Sequence, residues 1–171
     1  VDATHTLPAW ADYDAMELGR RAAVRHAPLT FLVLLTDGLI ESFAIPHEAQ
    51  VLVRTGRLNR DAVSRLYETA AMVRDLLLER GPRIGEEGHA ALLKVRLLHA
   101  YVRRYTVKTP GWDSTIHGVP VNQTDMLATL MMFSLVLARG IERLGGALSD
   151  AEKDSWCHLW RYAGFMLGVD E

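Results

Sequence analysis

The chain has 171 residues, enough for one domain that encloses a single core and a pocket. About half of it is apolar (49%), and 19 Lys plus Arg stand against 21 Asp plus Glu for a formal net charge of -2. That balance excludes a basic footprint for nucleic acid, and a lone Cys157 excludes an intrachain disulfide or a thiolate cluster. The chain starts at Val1 rather than Met, so a processed or truncated product, a piece of a longer chain, is expected. No targeting segment is visible. The most apolar stretch, "PLTFLVLLTDGLIESFAI", carries Asp37 and Glu41 and is too short and too charged to span a bilayer, so a soluble domain is expected.

Apolar residues recur with helical spacing, and no stretch alternates as a strand would. The fold class expected is all-α: a single-domain bundle of about seven helices over 11–26, 29–44, 46–56, 60–80, 86–107, 122–144 and 149–167. Pro46 suits the first turn of the third helix, and Gly81-Pro82 stops the fourth. The fourth helix carries two stripes. Val63, Leu66, Ala70, Val73 and Leu77 form an ordinary core face, whereas Arg65, Thr69, Met72 and Leu76 form a second. A buried arginine needs a partner, because an unpaired charge in a core costs several kcal/mol. A carboxylate elsewhere or a ligand could supply it.

On the fifth helix Leu92, Val95, His99 and Val102 share a stripe, with Arg96 and Arg103 on the flank of His99. Neutral imidazole ligates iron well, and arginine suits carboxylate tails through charge-assisted hydrogen bonds. A histidine at the edge of an apolar face also commonly just bonds a backbone carbonyl, and arginines there commonly pair with surface carboxylates.

The connection "KTPGWDSTIHGVPVNQ" is long enough to be functional, and Trp112 and His117 in it could line a pocket mouth. Asn122 reads as the N-cap of the sixth helix, with Gln123 and Asp125 in its first turn. Met126, Met131 and Met132 on that helix suit core filling or a pliable apolar channel. The seventh helix opens with a Ser149-x-x-Glu152 capping box and closes at Gly168.

Other metal patterns are incomplete. Glu86-x-x-His89 has the spacing of a carboxylate-bridged di-iron helix, but its counterpart is only Asp154 and His158 at i, i+4. His47-Glu48 is adjacent rather than spaced for zinc.

"VRLLHAYVR", followed some twenty residues later by "GVPVNQTD", resembles the rubber oxygenase (latex clearing protein) family, to which the fungal mycophenolate-pathway oxygenase is related. The resemblance implies an all-helical fold holding haem b, with the iron bound by the histidine of the HA motif, His99, and with Arg96 and Arg103 as propionate partners. The family's arginine and threonine, four apart and thirty residues before the histidine, are matched in "RLYET" by Arg65 and Thr69. These would hold the haem environment or position dioxygen. Where the family has a lysine able to reach the far side of the iron, this chain has Glu68. By position, Glu48 and Glu68 are both open as the family's distal catalytic glutamate.

The activity implied is oxidative cleavage or oxygenation of an apolar, isoprenoid-like small molecule by dioxygen. A haem-free helical module binding an apolar ligand is the alternative from another class, and a di-iron carboxylate protein is a third.

Overall fold

The computed structural model describes residues 5–38, 40, 46–54 and 62–170, and these are helical with no strand among them. Helix α1 is Tyr13–Arg25 and α2 is Ala27–Gly38; α3 is Pro46–Arg54, α4 Ala62–Leu77 and α5 Glu87–Val107. A short α6, Ser114–His117, lies in the long connection, followed by α7, Gln123–Arg143, and α8, Asp150–Leu167. The expected helices agree closely where they can be compared; their stretches at 39, 41–44, 55–56 and 60–61 lie outside the described residues.

The caps explain the boundaries. The Asp12 carboxylate accepts from the backbone N–H groups of Asp14 and Ala15, at 2.8 and 3.3 Å, and so starts α1. Ser149 and Glu152 close the expected capping box on α8, and Gly168 ends that helix in the left-handed region at φ 90°. The Asn122 side chain accepts from Asp125 N–H at 2.9 Å and starts α7.

Helix α8 is the central element. It packs along α1 and also meets α5 and α7. The α1 contact is close because Gly19 has no side chain: a Cβ there would lie 2.5 Å from the Ser155 carbonyl oxygen. Met16, Leu76, Leu92, Leu137, Leu159 and Trp160 form the buried centre. Their removal from water, at about 25 cal/mol per Å2 of apolar surface, is the main force assembling the bundle.

Two helices widen by a turn where they meet. Leu34–Gly38 of α2 and Met132–Val136 of α7 are π-helical, and the two turns pack against each other. In α7 the Ser134 hydroxyl donates to Leu130 O at 3.0 Å, and the Ser134 carbonyl accepts the Trp156 indole N–H at 2.9 Å. The backbone groups displaced by the wide turn thus find partners. By length and composition α7 could cross a membrane, with mean hydropathy 1.4 over its most apolar window. Its Leu137, Ala138 and Ile141 are buried, and this half of the helix packs on α2.

Of the core face expected on α4, Val73 and Leu77 are buried, but Val63 is 65% exposed. Val63 lies in the first turn, before α4 comes under its neighbours.

Candidate functional site

The second stripe of α4 is the one that matters. Arg65, Thr69 and Met72 line a cavity of about 240 Å3 together with Val95, His99 and Val102 of α5. Each set recurs at three- or four-residue spacing, so each helix turns one continuous strip toward the same space. Glu68 also lines it from α4, Val51 and Leu52 close it from α3, and Met126 and Phe133 of α7 add apolar wall.

Burial, with the nearby Arg103 charge adding to it, pushes the His99 pKa down from 6.5 to about 4. The imidazole is therefore neutral at physiological pH, with a lone pair to offer. Its Nδ1 is buried and has no hydrogen-bond partner among the described residues. A buried polar atom left without a partner costs about 1–3 kcal/mol, so the arrangement calls for a ligand.

The arginines flanking His99 do not line the cavity. Arg96 Nη1 donates to the carbonyls of Phe165 and Met166, at 3.4 and 3.1 Å, where α8 ends. Arg103 Nη2 donates to the Val121 carbonyl at 2.7 Å. Val121 has φ 52°, a left-handed conformation that a β-branched residue adopts only under strain. Val121 lines the cavity, so the Arg103 bond ties that part of the wall to α5. Among the described residues, the arginine that lines the cavity is Arg65.

Several residues with no expected functional role belong to the wall, Asp125 and Trp160 among them. Asp125 lines the cavity, its carboxylate accepting from Asn122 Nδ2 at 2.8 Å. Its place in "GVPVNQTD" was the available signal. Trp160 of α8 lines the cavity too, although nothing in its spacing separates it from the core.

The remaining motifs resolve into structure. Trp112 and His117 pack on each other, ring centroids 5.1 Å apart, and neither lines the cavity. The Trp112 indole N–H donates to Gly118 O at 3.2 Å, closing the long connection on itself. Met126 faces the cavity, whereas Met131 is exposed. In the di-iron pattern, His89 Nδ1 accepts Gly85 N–H at 3.3 Å and His158 Nε2 accepts Asp12 N–H at 3.0 Å. Among the described residues no cluster of three His, Cys, Asp or Glu side chains could hold a metal ion. Glu48 falls in the first turn of α3, and its side chain lies outside the described residues.

The model of the family "ER-bound oxygenase mpaB/B'/Rubber oxygenase, catalytic domain" matches residues 21–171. The rubber oxygenase of Streptomyces sp. (strain K30) is 27% identical over 96% of this chain and 41% of its own length. The ER-bound oxygenase mpaB of Penicillium roqueforti (strain FM164) is 22% identical over 96% of this chain and 51% of its own length. The chain thus spans about half the length of the curated relatives it matches, or somewhat less. The solved structure of latex clearing protein in its closed state superimposes with a TM-score of 0.81 at 24% identity, covering 99% of this chain and 46% of that one. At that identity the likeness establishes the helical fold.

Proposed function

Because the chain belongs to the mpaB and rubber oxygenase catalytic-domain family, we propose that it is a haem b-dependent oxygenase acting with dioxygen on an apolar, isoprenoid-like substrate. The observation that carries this reading is His99: a neutral imidazole on the wall of a largely apolar cavity, with a buried ring nitrogen that no atom of the described residues satisfies. Imidazole is a standard axial ligand of haem iron. When bound, haem b supplies the redox chemistry that activates dioxygen.

The residues of the chain divide the remaining work. His99 would hold the iron. Val95, Val102, Met126 and Phe133 keep water from the reacting centre, which strengthens every polar interaction inside it. Arg65, a guanidinium on the cavity wall, would pair with the haem's carboxylate tails or hold the dioxygen environment. The Thr69 hydroxyl, one turn along α4, is a hydrogen-bond donor toward dioxygen, and the Glu68 carboxylate accepts or returns a proton at its Oε atoms. Arg96 and Arg103 act indirectly, by fixing the end of α8 and Val121.

The absorption spectrum of freshly purified protein tests the proposal. A Soret band is expected in the wild type, with its loss in His99→Ala and a lower melting temperature, since a cofactor bound only to the folded state stabilises it. A wild type with no Soret band after haem supplementation would make this a haem-free module for an apolar ligand. A His99→Ala protein with full haem content and an unchanged spectrum would remove His99 as the ligand.

A further inference from the structure

The net charge of -2 hides an uneven distribution. From Gly88 to Trp112, which takes in all of α5 after its first residue, there are five Lys or Arg and no Asp or Glu. Glu87 before this stretch and Asp113 after it are the acids that bound it. Arg96 and Arg103 turn inward to backbone carbonyls. Lys94, Arg104 and Lys108 stay exposed.

At 100° per residue, those three cations share an arc of about 120° with Leu97, Leu98, Tyr101 and Tyr105. Leu97 is 71% exposed and Tyr101 66%. Tyr105 is half exposed, its ring stacked on that of Tyr101 with centroids 6.1 Å apart. Single exposed leucines are ordinary, but four large apolar side chains on two successive turns are a patch. Leu98 belongs to both sides of the helix, since it is 37% exposed and also lines the cavity. The patch therefore adjoins the cavity rim.

We propose that the outer face of α5 docks on an anionic lipid bilayer, with Leu97, Tyr101 and Tyr105 entering the interface and Lys94, Arg104 and Lys108 meeting lipid phosphates. The charges are complementary, and their interleaving with apolar groups selects the partner. Long basic side chains reach back to headgroup level while leucine and tyrosine on the same arc sit about 5–10 Å into the boundary. Tyrosine favours that level, with its ring in apolar surroundings and its hydroxyl wet. A second copy of the chain would instead set the same three cations against each other. Docking does not depend on haem. Its consequence for the substrate rests on the function proposed above: an apolar molecule dissolved in the bilayer meets the cavity rim at Leu98 without crossing water.

Co-sedimentation of the purified chain with vesicles tests this, using phosphatidylcholine alone and phosphatidylcholine mixed with phosphatidylserine, with haem content recorded. The wild type should prefer the mixed vesicles about a hundredfold at low salt and less as salt rises. Lys94→Ser, Arg104→Ser and Lys108→Ser should each cost about fivefold on the mixed vesicles, and together they should abolish the preference. Leu97→Ser and Tyr101→Ser should each weaken binding to both vesicle types about tenfold. Leu32→Ser, at a leucine of α2 that is 48% exposed, should change neither. All these side chains are exposed, and thermal melts of each variant confirm that it folds.

No preference for the anionic vesicles would overturn the proposal, as would a Leu32→Ser protein weakened as much as Leu97→Ser. A protein that ignores vesicles but forms a dimer abolished by Tyr101→Ser would make this face an interface between copies. Vesicle binding through this face by a protein with no Soret band would sink the haem reading and keep this one. A haem-loaded protein that ignores the vesicles would do the reverse.

Discussion

Arg96 of α5 closes the C-terminal end of α8, its guanidinium donating to Phe165 O at 3.4 Å and Met166 O at 3.1 Å. A cation at that end satisfies carbonyls the helix cannot, and it offsets the partial negative charge of the helix dipole. Gly168 makes room for it, since a Cβ there would lie 3.3 Å from Arg96 Cζ. Arg96→Ala should therefore lower unfolding free energy by about 1 kcal/mol, in haem-free as well as haem-loaded protein. Denaturant melts of both forms measure it. An effect confined to the loaded form would return Arg96 to the carboxylate tails of the haem.

Glu68 stands in the cavity wall where the family resemblance calls for a lysine. A carboxylate, like water, is a weak-field ligand and an amine is a stronger one, so a haem-loaded ferric protein would be expected to show a high-spin spectrum at neutral pH whether Glu68 or water takes the open iron position. Glu68→Lys should shift it toward low-spin, six-coordinate iron as pH rises and the amine loses its proton. Absorption spectra across a pH series read the change. A wild type already low-spin with a nitrogen ligand would mean that another residue fills that position.

Much of this site was legible in the sequence, and the exceptions share a physical cause. Arg65, Thr69 and His99 converge because each lies on a stripe whose period is that of a helix, and periodicity is written in residue identity. What Arg96 and Arg103 bind was not legible, because their partners are backbone carbonyls, which every residue possesses. Val121 carries no sign of its left-handed backbone, since only glycine, asparagine or aspartate announces that conformation. Phe133 and Trp160 carry no distinguishing signal, because a cavity wall and a packed core ask for the same apolar side chains.

The close seating of α1 on α8 predicts a strong effect at a position far from the cavity. Gly19→Ala would put a methyl group 2.5 Å from the Ser155 carbonyl, and a backbone atom cannot swing aside. The helices must separate, at a cost of about 1–3 kcal/mol typical of an overpacked core. Thermal melts should show the loss despite alanine's better helix propensity. An equal or higher melting temperature would mean that α1 slides without penalty.

Acid stability depends on Glu17. Its carboxylate bonds Arg20 and Arg21, each at 2.7 Å, and Arg20 chiefly lowers its pKa from 4.5 to about 2. Between those values the unfolded chain binds the proton more readily than the folded one. The stabilisation is thus complete above about pH 4.5 and is lost as pH falls toward about 2. Its size is about 1 kcal/mol after solvent screening. Glu152, also held to about 2 chiefly by Arg25, contributes to the same acid slope. The discriminating measurement is therefore a difference: Glu17→Gln should be less stable than wild type at pH 6, the gap narrowing as pH drops. A gap constant with pH would assign the loss to packing.

The wide turn at Met132–Val136 makes the length of α7 as important as its composition. Loss of one codon inside those five residues would let the backbone relax into an unbroken α-helix, a local gain in regularity. The Gln123–Met131 and Leu137–Arg143 halves would keep nearly the same phase, because the wide turn is what absorbs the extra residue, whereas a deletion elsewhere in α7 would turn one half by about 100° against the other. A single-residue deletion within Met132–Val136 should therefore be tolerated better than one in either flanking half, a difference that a deletion scan read out by folded yield would reveal.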